Sequence, residues 1–252
     1  MALGKTNINL TEIPLRYEQI VNYKILYDGK LNSELGSMSL TYKPSSASFS
    51  VGSSSIQIAS NNINYAAVAT ATNKVDTTGY NKIFYTGTGK RDSSNDNSNA
   101  QVGFGSTKST SSGTAAAQAD GGYVSFSVSK DITTTISKVA LNTIKEGSYY
   151  FVIRCYNGTR NYNNIAMFKP DDWEALASKA GITATSIDDI LTNSETLLAN
   201  KNAVQFMVAQ CTGDFMGSAM ANETFLTALE NSQYKSIVQA NEHWAKFLAM
   251  VA

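Results

Sequence analysis

The chain has 252 residues, enough for one large core or two smaller ones, and Lys+Arg and Asp+Glu each number 20. Only 16% of residues are charged, against roughly 25% in ordinary soluble domains, and Ser, Thr, Asn, Ala and Gly fill the difference. Without a basic excess there is nothing to neutralise phosphates, so nucleic acid is set aside as a partner, and no apolar run approaches the 18 or so residues of a membrane span.

The opening residues, Met1 to Ile8, lack a positive segment followed by a hydrophobic core. A secretory signal is therefore not expected. Residues 1–40 read as an N-terminal arm and hairpin. Leu10 to Ile20 suits a short helix or an extended arm equally, and Tyr23, Ile25 and Tyr27 alternate before Asp28-Gly29, a type I′ hairpin signal.

Residues 41–168 read as an antiparallel β-sandwich, mainly β structure ahead of the helical end of the chain. Ala47, Phe49 and Val51 alternate, as do Ile56 with Ile58, Tyr65 with Ala67, and Val124 with Phe126 and Val128. Period two puts one face toward a core and the other toward solvent. A strand over Tyr149 to Tyr156 leads into Asn157-Gly158, a second hairpin signal, and then Ile165 to Phe168. Between Thr86 and Gly122 the composition falls to low complexity, with runs such as Ser93 to Asn99 and Ser109 to Thr114. A long polar loop is expected there, ordered only if partners in an assembly hold it.

From residue 169 to 252 the pattern turns helical. Pro170-Asp171-Asp172-Trp173 is a start signal, Gly181 a stop, and Ser186-Ile-Asp-Asp189 resembles a capping box with Asp in place of Glu. Phe206, Phe215, Phe225, Tyr234 and Trp244 then recur at steps of nine, ten, nine and ten, and the beat extends backward to Leu197 and Ile187. Three of them follow an Asn by three positions: Asn222, Asn231 and Asn241. A fixed period predicts short helical repeats. A continuous helix advances about 100° per residue and would scatter these aromatics, so broken helices capped by Asn fit better. Helices that short are unstable alone. The five aromatics are therefore expected at contacts with neighbouring units or another subunit.

A search for chemistry finds little. One histidine, His243, precludes a multi-imidazole metal site and reads as a solvated helix-end residue. Asp171-Asp172 and Asp188-Asp189 sit at helix starts, where capping outweighs acid–base work. Gly87-Thr-Gly89-Lys90 lacks the spacing of a phosphate loop, and Gly103-Phe-Gly105 is equally weak. Asp92 to Asn99 matches no calcium-loop spacing. Cys155 and Cys211 read as buried small hydrophobes. No catalytic residue, cofactor or metal is expected. The 13 tyrosines suit core and strand use, with exposed ones able to form flat glycan- or protein-binding contacts.

Two segments carry resemblances. Leu141-x-x-Ile144-x-x-Gly147-x-Tyr149-x-Phe151-x-Ile153 resembles the late-strand pattern of bacterial immunoglobulin-like modules, without their cysteine pair or core Trp, so a jelly-roll is nearly as good a fit. Met1-Ala-Leu-Gly-Lys-Thr-Asn-Ile8 resembles the start of virion proteins from tailed phages of gut Bacteroidales, crAss-like phages among them. The closing repeats, ending Asn241-Glu-His-Trp-Ala-Lys-Phe-Leu248, look like those near the ends of phage fibre and appendage proteins. The resemblance implies a non-enzymatic virion structural protein, a fibre or appendage component or its adaptor. It also implies a homo-oligomer, with a trimer favoured, that contacts other virion proteins. The alternative is a host-receptor or glycan-binding module with the sandwich as its reading head.

Overall fold

The computed structural model describes residues 22–62, 64–92, 100–111, 119–140 and 143–252. Two compact units emerge, one built on Tyr23–Pro170 and the other on Asp171–Ala249. The arm or helix expected over Leu10 to Ile20, the polar runs 93–99 and 112–118, and Leu141 of the immunoglobulin-like pattern lie outside the described residues.

The first unit is antiparallel throughout its paired strands. They are β1 (Tyr23–Tyr27), β2 (Met38–Tyr42), β3 (Ser48–Val51), β4 (Ile56–Ser60), β5 (Ala67–Asp76), β6 (Lys82–Lys90), β7 (Ala100–Gly105), β8 (Tyr123–Phe126), β9 (Thr134–Ala140), β10 (Ser148–Cys155) and β11 (Gly158–Phe168). One sheet has the order β3-β4-β11-β6-β9, with β1 on the later half of β11, and the other has the order β2-β5-β10-β7-β8. Alternation along each strand turns one face of each sheet inward. Ile56, Ile58, Ile83, Tyr85, Ile165 and Met167 from the first sheet share a core with Ala69, Val102, Phe104, Phe151 and Ile153 from the second. Each large side chain so buried contributes roughly 1.5–3 kcal/mol. The result is a two-layer sandwich.

Asp28-Gly29 does reverse the chain, closing an isolated antiparallel bridge between Tyr27 and Leu31, but the strands that follow each expected hairpin lie in different layers. β1 belongs to the first sheet and β2 to the second, while β10 belongs to the second and β11 to the first. The turn chemistry was read correctly in one respect, since Gly29 has φ 91°, Asn157 φ 30° and Gly158 φ 121°. Positive φ favours Gly and Asn whether or not the flanking strands pair. At Gly158 the reason is also spatial, because a Cβ there would stand 2.1 Å from the Lys90 carbonyl oxygen.

The stretch from Thr86 to Gly122 is not one long loop. β6 runs through Thr86–Lys90, and every residue of β7 is buried. β7 lies between β10 and β8, so its backbone groups are satisfied on both sides by its own sheet. Val102 and Phe104 supply a two-residue inward face, too short to stand out against the polar runs around it. Order in these strands needs no outside partner. Tyr65, paired with Ala67 in the alternation, lies before β5 and is 50% exposed.

The second unit is helical: α1 (Trp173–Ala180), α2 (Ile187–Thr192), α3 (Ser194–Leu198), α4 (Lys201–Gln210), α5 (Asp214–Met220), α6 (Glu223–Asn231), α7 (Lys235–Ala240) and α8 (Glu242–Val251). Asp172 caps α1 by accepting from the Ala175 N–H, and Gly181 closes it in the left-handed conformation at φ 69°. Asn200, Asn222 and Asn241 accept from the N–H groups of Ala203, Phe225 and Trp244. Asn231 departs from the pattern. It is the last residue of α6, and Ser232 Oγ accepts from the Tyr234 N–H instead. Capping-box geometry at Ser186 is likewise offset: Ser186 Oγ accepts from Asp189 N, but the shorter Asp189 carboxylate takes Thr185 N and Oγ1.

Candidate binding surface

Phe215, Phe225 and Trp244 meet in one cluster, with centroids 6.0–6.3 Å apart and no exposure. They form the interior of the helical unit, so as placed they offer no external interface. From Phe215 to Phe225 and on to Trp244 the chain passes through short helices and reversals that return these three to one interior, and the other two aromatics on the beat do not join them. Leu197 and Ile187 are buried as well. Phe206 and Tyr234 are half-buried.

The acidic pairs are structural. Asp171 Oδ2 accepts from Gly213 N at 2.7 Å and from Phe215 N at 3.1 Å, while Asp214 Oδ1 accepts from Asp171 N at 3.1 Å. Asp171 therefore caps α5 across forty residues of sequence, and α5 has no side-chain cap of its own. Burial pushes the Cys211 thiol well up, with Asp171, Asp172 and Asp214 adding to the effect, and burial takes Cys155 to about 11. Both stay protonated and unreactive at neutral pH. His243 lies in the first turn of α8 with Nε2 3.7 Å from the Glu242 carboxylate. Gly87 and Gly89 are strand residues, and a Cβ on Gly87 would stand 2.0 Å from the Asn161 carbonyl oxygen. Among the described residues no cluster of three or more His, Cys, Asp or Glu is placed to hold a metal ion.

What the sandwich does build is a neutral, hydrogen-bonding face. On the first sheet, Ser50 faces Gln57, Gln57 faces Asn161, Asn161 faces Thr88, and Thr88 faces Thr135. The row crosses five neighbouring strands without a break, about 19 Å at the usual strand spacing of 4.7–4.9 Å. Asn164, Thr86 and Ser137 make a second, parallel row. Ser50, Gln57, Thr135 and Ser137 are exposed, and the others are half-buried. None carries a formal charge.

These side chains are linked. Gln57 Nε2 donates to Asn161 Oδ1 at 2.9 Å, Asn161 Nδ2 donates to Thr88 Oγ1 at 3.4 Å, and Asn164 Nδ2 donates to Thr86 Oγ1 at 2.9 Å. Such chains polarise one another and fix rotamers that would otherwise be free. Gln57 and Asn161 retain capacity beyond these bonds, since an amide has two donors and an acceptor with two lone pairs, and the Ser and Thr hydroxyls both donate and accept, whereas Asn164 Nδ2 also donates to the Met250 carbonyl at 3.2 Å and has no donor to spare. The face thus offers fixed donors and acceptors on a flat surface. The signal in the sequence is the outward half of the alternation, Ser48-x-Ser50, Thr86-x-Thr88 and Thr159-x-Asn161.

The second sheet presents different chemistry outward. Arg154 is buried there, donating through Nη1 to Gln101 Oε1 and through Nη2 to Tyr156 Oη at 2.9 Å, with its guanidinium 5.3 Å from the Tyr156 ring centre. Burial lowers its pKa, with Tyr156 acting in opposition.

No protein-family model matches the chain, and no curated protein matches it in sequence. Among solved structures it is similar to the C-terminal CBM6 of LamC, a marine laminarinase from Zobellia galactanivorans, at 14% identity and a TM-score of 0.30, over 49% of this chain and 88% of that one. It is also similar to the family 11 carbohydrate-binding module of the cellulosomal cellulase Lic26A-Cel5E of Clostridium thermocellum, at 11% identity and a TM-score of 0.27, over 68% and 97%. A third is the enzymatically active domain of tailspike protein 4 of bacteriophage CBA120, at 11% identity and a TM-score of 0.30, over 60% of this chain and 20% of that one. Superpositions this loose assign neither a family nor an activity.

Proposed function

We propose that the chain is a non-enzymatic binding module whose sandwich takes a hydroxyl-rich polymer, a neutral glycan, on the outer face of the first sheet. One observation carries this reading: the unbroken row Ser50, Gln57, Asn161, Thr88 and Thr135, uncharged and fixed by its own hydrogen bonds. Exposed sheet faces and edges usually bear charges that discourage association. Here that protection is replaced by amides and hydroxyls, which complement sugar hydroxyls because both can donate and accept. The row is long enough for several sugar rings, and the cation on the same side of β6, Lys90, stands two residues beyond Thr88 at its margin. The acids at Asp171, Asp172 and Asp214 are committed to backbone amides and serve no reaction in this reading.

Affinity electrophoresis and calorimetry against a panel of neutral glucans, mannans and galactans test it. Gln57→Ala and Asn161→Ala each remove a link in the row, and about 1–1.5 kcal/mol per lost hydrogen bond predicts roughly five- to tenfold weaker binding. No binding to any neutral polymer, or binding that both variants leave untouched, overturns the reading.

We further propose that the module works as a fibre, appendage or adaptor component of a tailed-phage virion, as a homo-oligomer, on the resemblance of Met1 to Ile8 and of Asn241 to Leu248. Peptide mass spectrometry of purified particles, with sedimentation of the isolated chain, tests that placement. Absence from the particle rejects it.

A further inference from the structure

Two tyrosines of the sandwich each have two lysine ammoniums over one ring. Lys24 and Lys169 lie 5.8 and 4.9 Å from the centre of Tyr80, and Lys74 and Lys108 each lie 5.2 Å from the centre of Tyr150. All four fall within the distance at which a ring's negative face attracts a cation. The two clusters differ in their counter-charge. At Tyr80, Lys24 pairs with Glu34 at 2.7 Å, and the Asp76 carboxylate interacts with both lysines. At Tyr150, among the described residues, neither Lys74 nor Lys108 makes an ion pair. The nearby acid Asp120 is committed to Ser106, accepting from its N–H and Oγ at 2.7 Å each.

Sharing one ring centre keeps the two ammoniums within about one Debye length of each other at 0.1 M salt, so their repulsion is only partly screened. An anion at the ring relieves that repulsion. Tyr150 pairs with Lys74 on β5 and with Gly105 on β7, so β7 raises no side chain beside the ring. Lys74 and Lys108 are exposed and Tyr150 is half-exposed.

We infer that Tyr150, Lys74 and Lys108 form an anion subsite on the outer face of the second sheet that takes the carboxylate of an acidic sugar. The carboxylate takes the two ammoniums from the ring as its partners, and the ring face they leave stacks on the flat C–H face of the sugar. A nucleic acid would also offer anion and flat ring, but two lysines in a chain of net charge zero give too small a counterion-release term for a phosphate backbone. The subsite lies on the opposite layer from the neutral row and stands or falls independently of it.

Calorimetry of the full chain at low salt, with oligogalacturonate and a neutral galactan oligomer of equal length as probes, is the test. At least tenfold preference for the acidic oligomer is expected, weakening as salt rises. Lys74→Gln and Lys108→Gln should each lower acidic-oligomer affinity by three- to tenfold while sparing the neutral one. Tyr150→Phe keeps the ring and should keep binding, whereas Tyr150→Leu should lose it. Equal affinity for the two oligomers, loss in Tyr150→Phe equal to that in Tyr150→Leu, or inorganic sulfate or a single-stranded oligonucleotide matching the acidic oligomer would each overturn the assignment. Gln57→Ala is the control for the neutral row and should leave acidic-oligomer binding unchanged.

Discussion

Replacing Asp171 by Ala should destabilise the helical unit far more than replacing its neighbour Asp172. Asp172 is an ordinary exposed cap with one bond, to Ala175 N at 3.1 Å. Removal of such a cap costs about 1 kcal/mol. Asp171 holds two N–H groups at the start of α5, Gly213 at 2.7 Å and Phe215 at 3.1 Å, and Gly213 is buried along with every residue of α5 except Ser218. Its loss strands donors that water reaches poorly, at about 1–3 kcal/mol for each unsatisfied group. Relief of its repulsion with Asp214 returns part of that, so a net loss of about 2–4 kcal/mol is expected. Asn at 171 should recover about half, since an amide oxygen accepts without the charge. Both tryptophans, Trp173 and Trp244, lie in this unit, so intrinsic fluorescence during urea unfolding reports on it selectively. Equal costs for Asp171→Ala and Asp172→Ala, or a cost below about 0.5 kcal/mol for the former, would refute the cross-chain cap.

Further consequences follow from the same packing. Trp244→Ala should cost about 3–5 kcal/mol by emptying the aromatic cluster, while Trp244→Phe should cost much less, because the buried indole N–H has no acceptor among the described residues and its removal is a gain. The drop in Tm should be the same at every protein concentration, whereas a concentration-dependent drop would return Trp244 to a subunit interface. Gly158→Ala should prevent a native sandwich, meeting the Lys90 carbonyl in a left-handed backbone, whereas Gly181→Ala, with nothing within 4 Å, should cost only about 1–2 kcal/mol; circular dichroism and thermal melts separate them. Hydrogen bonds from Thr185 and then Ser186 hold Asp189 below its ordinary pKa, so its contribution is complete above the unfolded value near 3.9 and fades as pH falls through the folded value. Asp189→Asn should therefore flatten the acid limb of the stability curve, and an unchanged limb would show that the carboxylate contributes nothing.

Much of the architecture was legible where one rule acted alone. Inward alternation located β3, β4, β8, β10 and the end of β11, and the cap and stop residues bounded α1. Legibility failed where two levels competed. Ile83, Phe84 and Tyr85 are all buried, so the first half of β6 shows no alternation, and its second half alternates only Thr with Gly, which resembles a loop. Asp28-Gly29 and Asn157-Gly158 announced positive φ, but which strands a turn joins depends on sheet membership that no local signal encodes. Of the aromatics on the beat, Phe215, Phe225 and Trp244 are buried, and burial inside one chain and burial between chains leave the same periodicity.

The outward row shows why a binding face is harder to read than a core. By strict alternation Asn161 and Asn164, three apart, point to opposite sides of β11, and neither would be grouped with the other. The register shifts between Tyr162 and Asn164, so Asn163 is the extra residue, exposed and donating to the Ser54 carbonyl at 3.0 Å. That bulge returns Asn164 to the face of Asn161, where it meets Thr86. Deleting Asn163 leaves every neighbour on the side it already holds, with Asn161 and Asn164 outward and Tyr162, Ile165 and Met167 inward, because the order out-in-out-in then runs without a break. The core therefore does not oppose the change, and what is lost is the Asn163 bond to the Ser54 carbonyl, about 1 kcal/mol. The deletion variant should thus keep a folded sandwich at slightly reduced stability and keep its neutral-glycan binding. A variant that folds but no longer binds would show that the row Ser50, Gln57, Asn161, Thr88 and Thr135 is not the site.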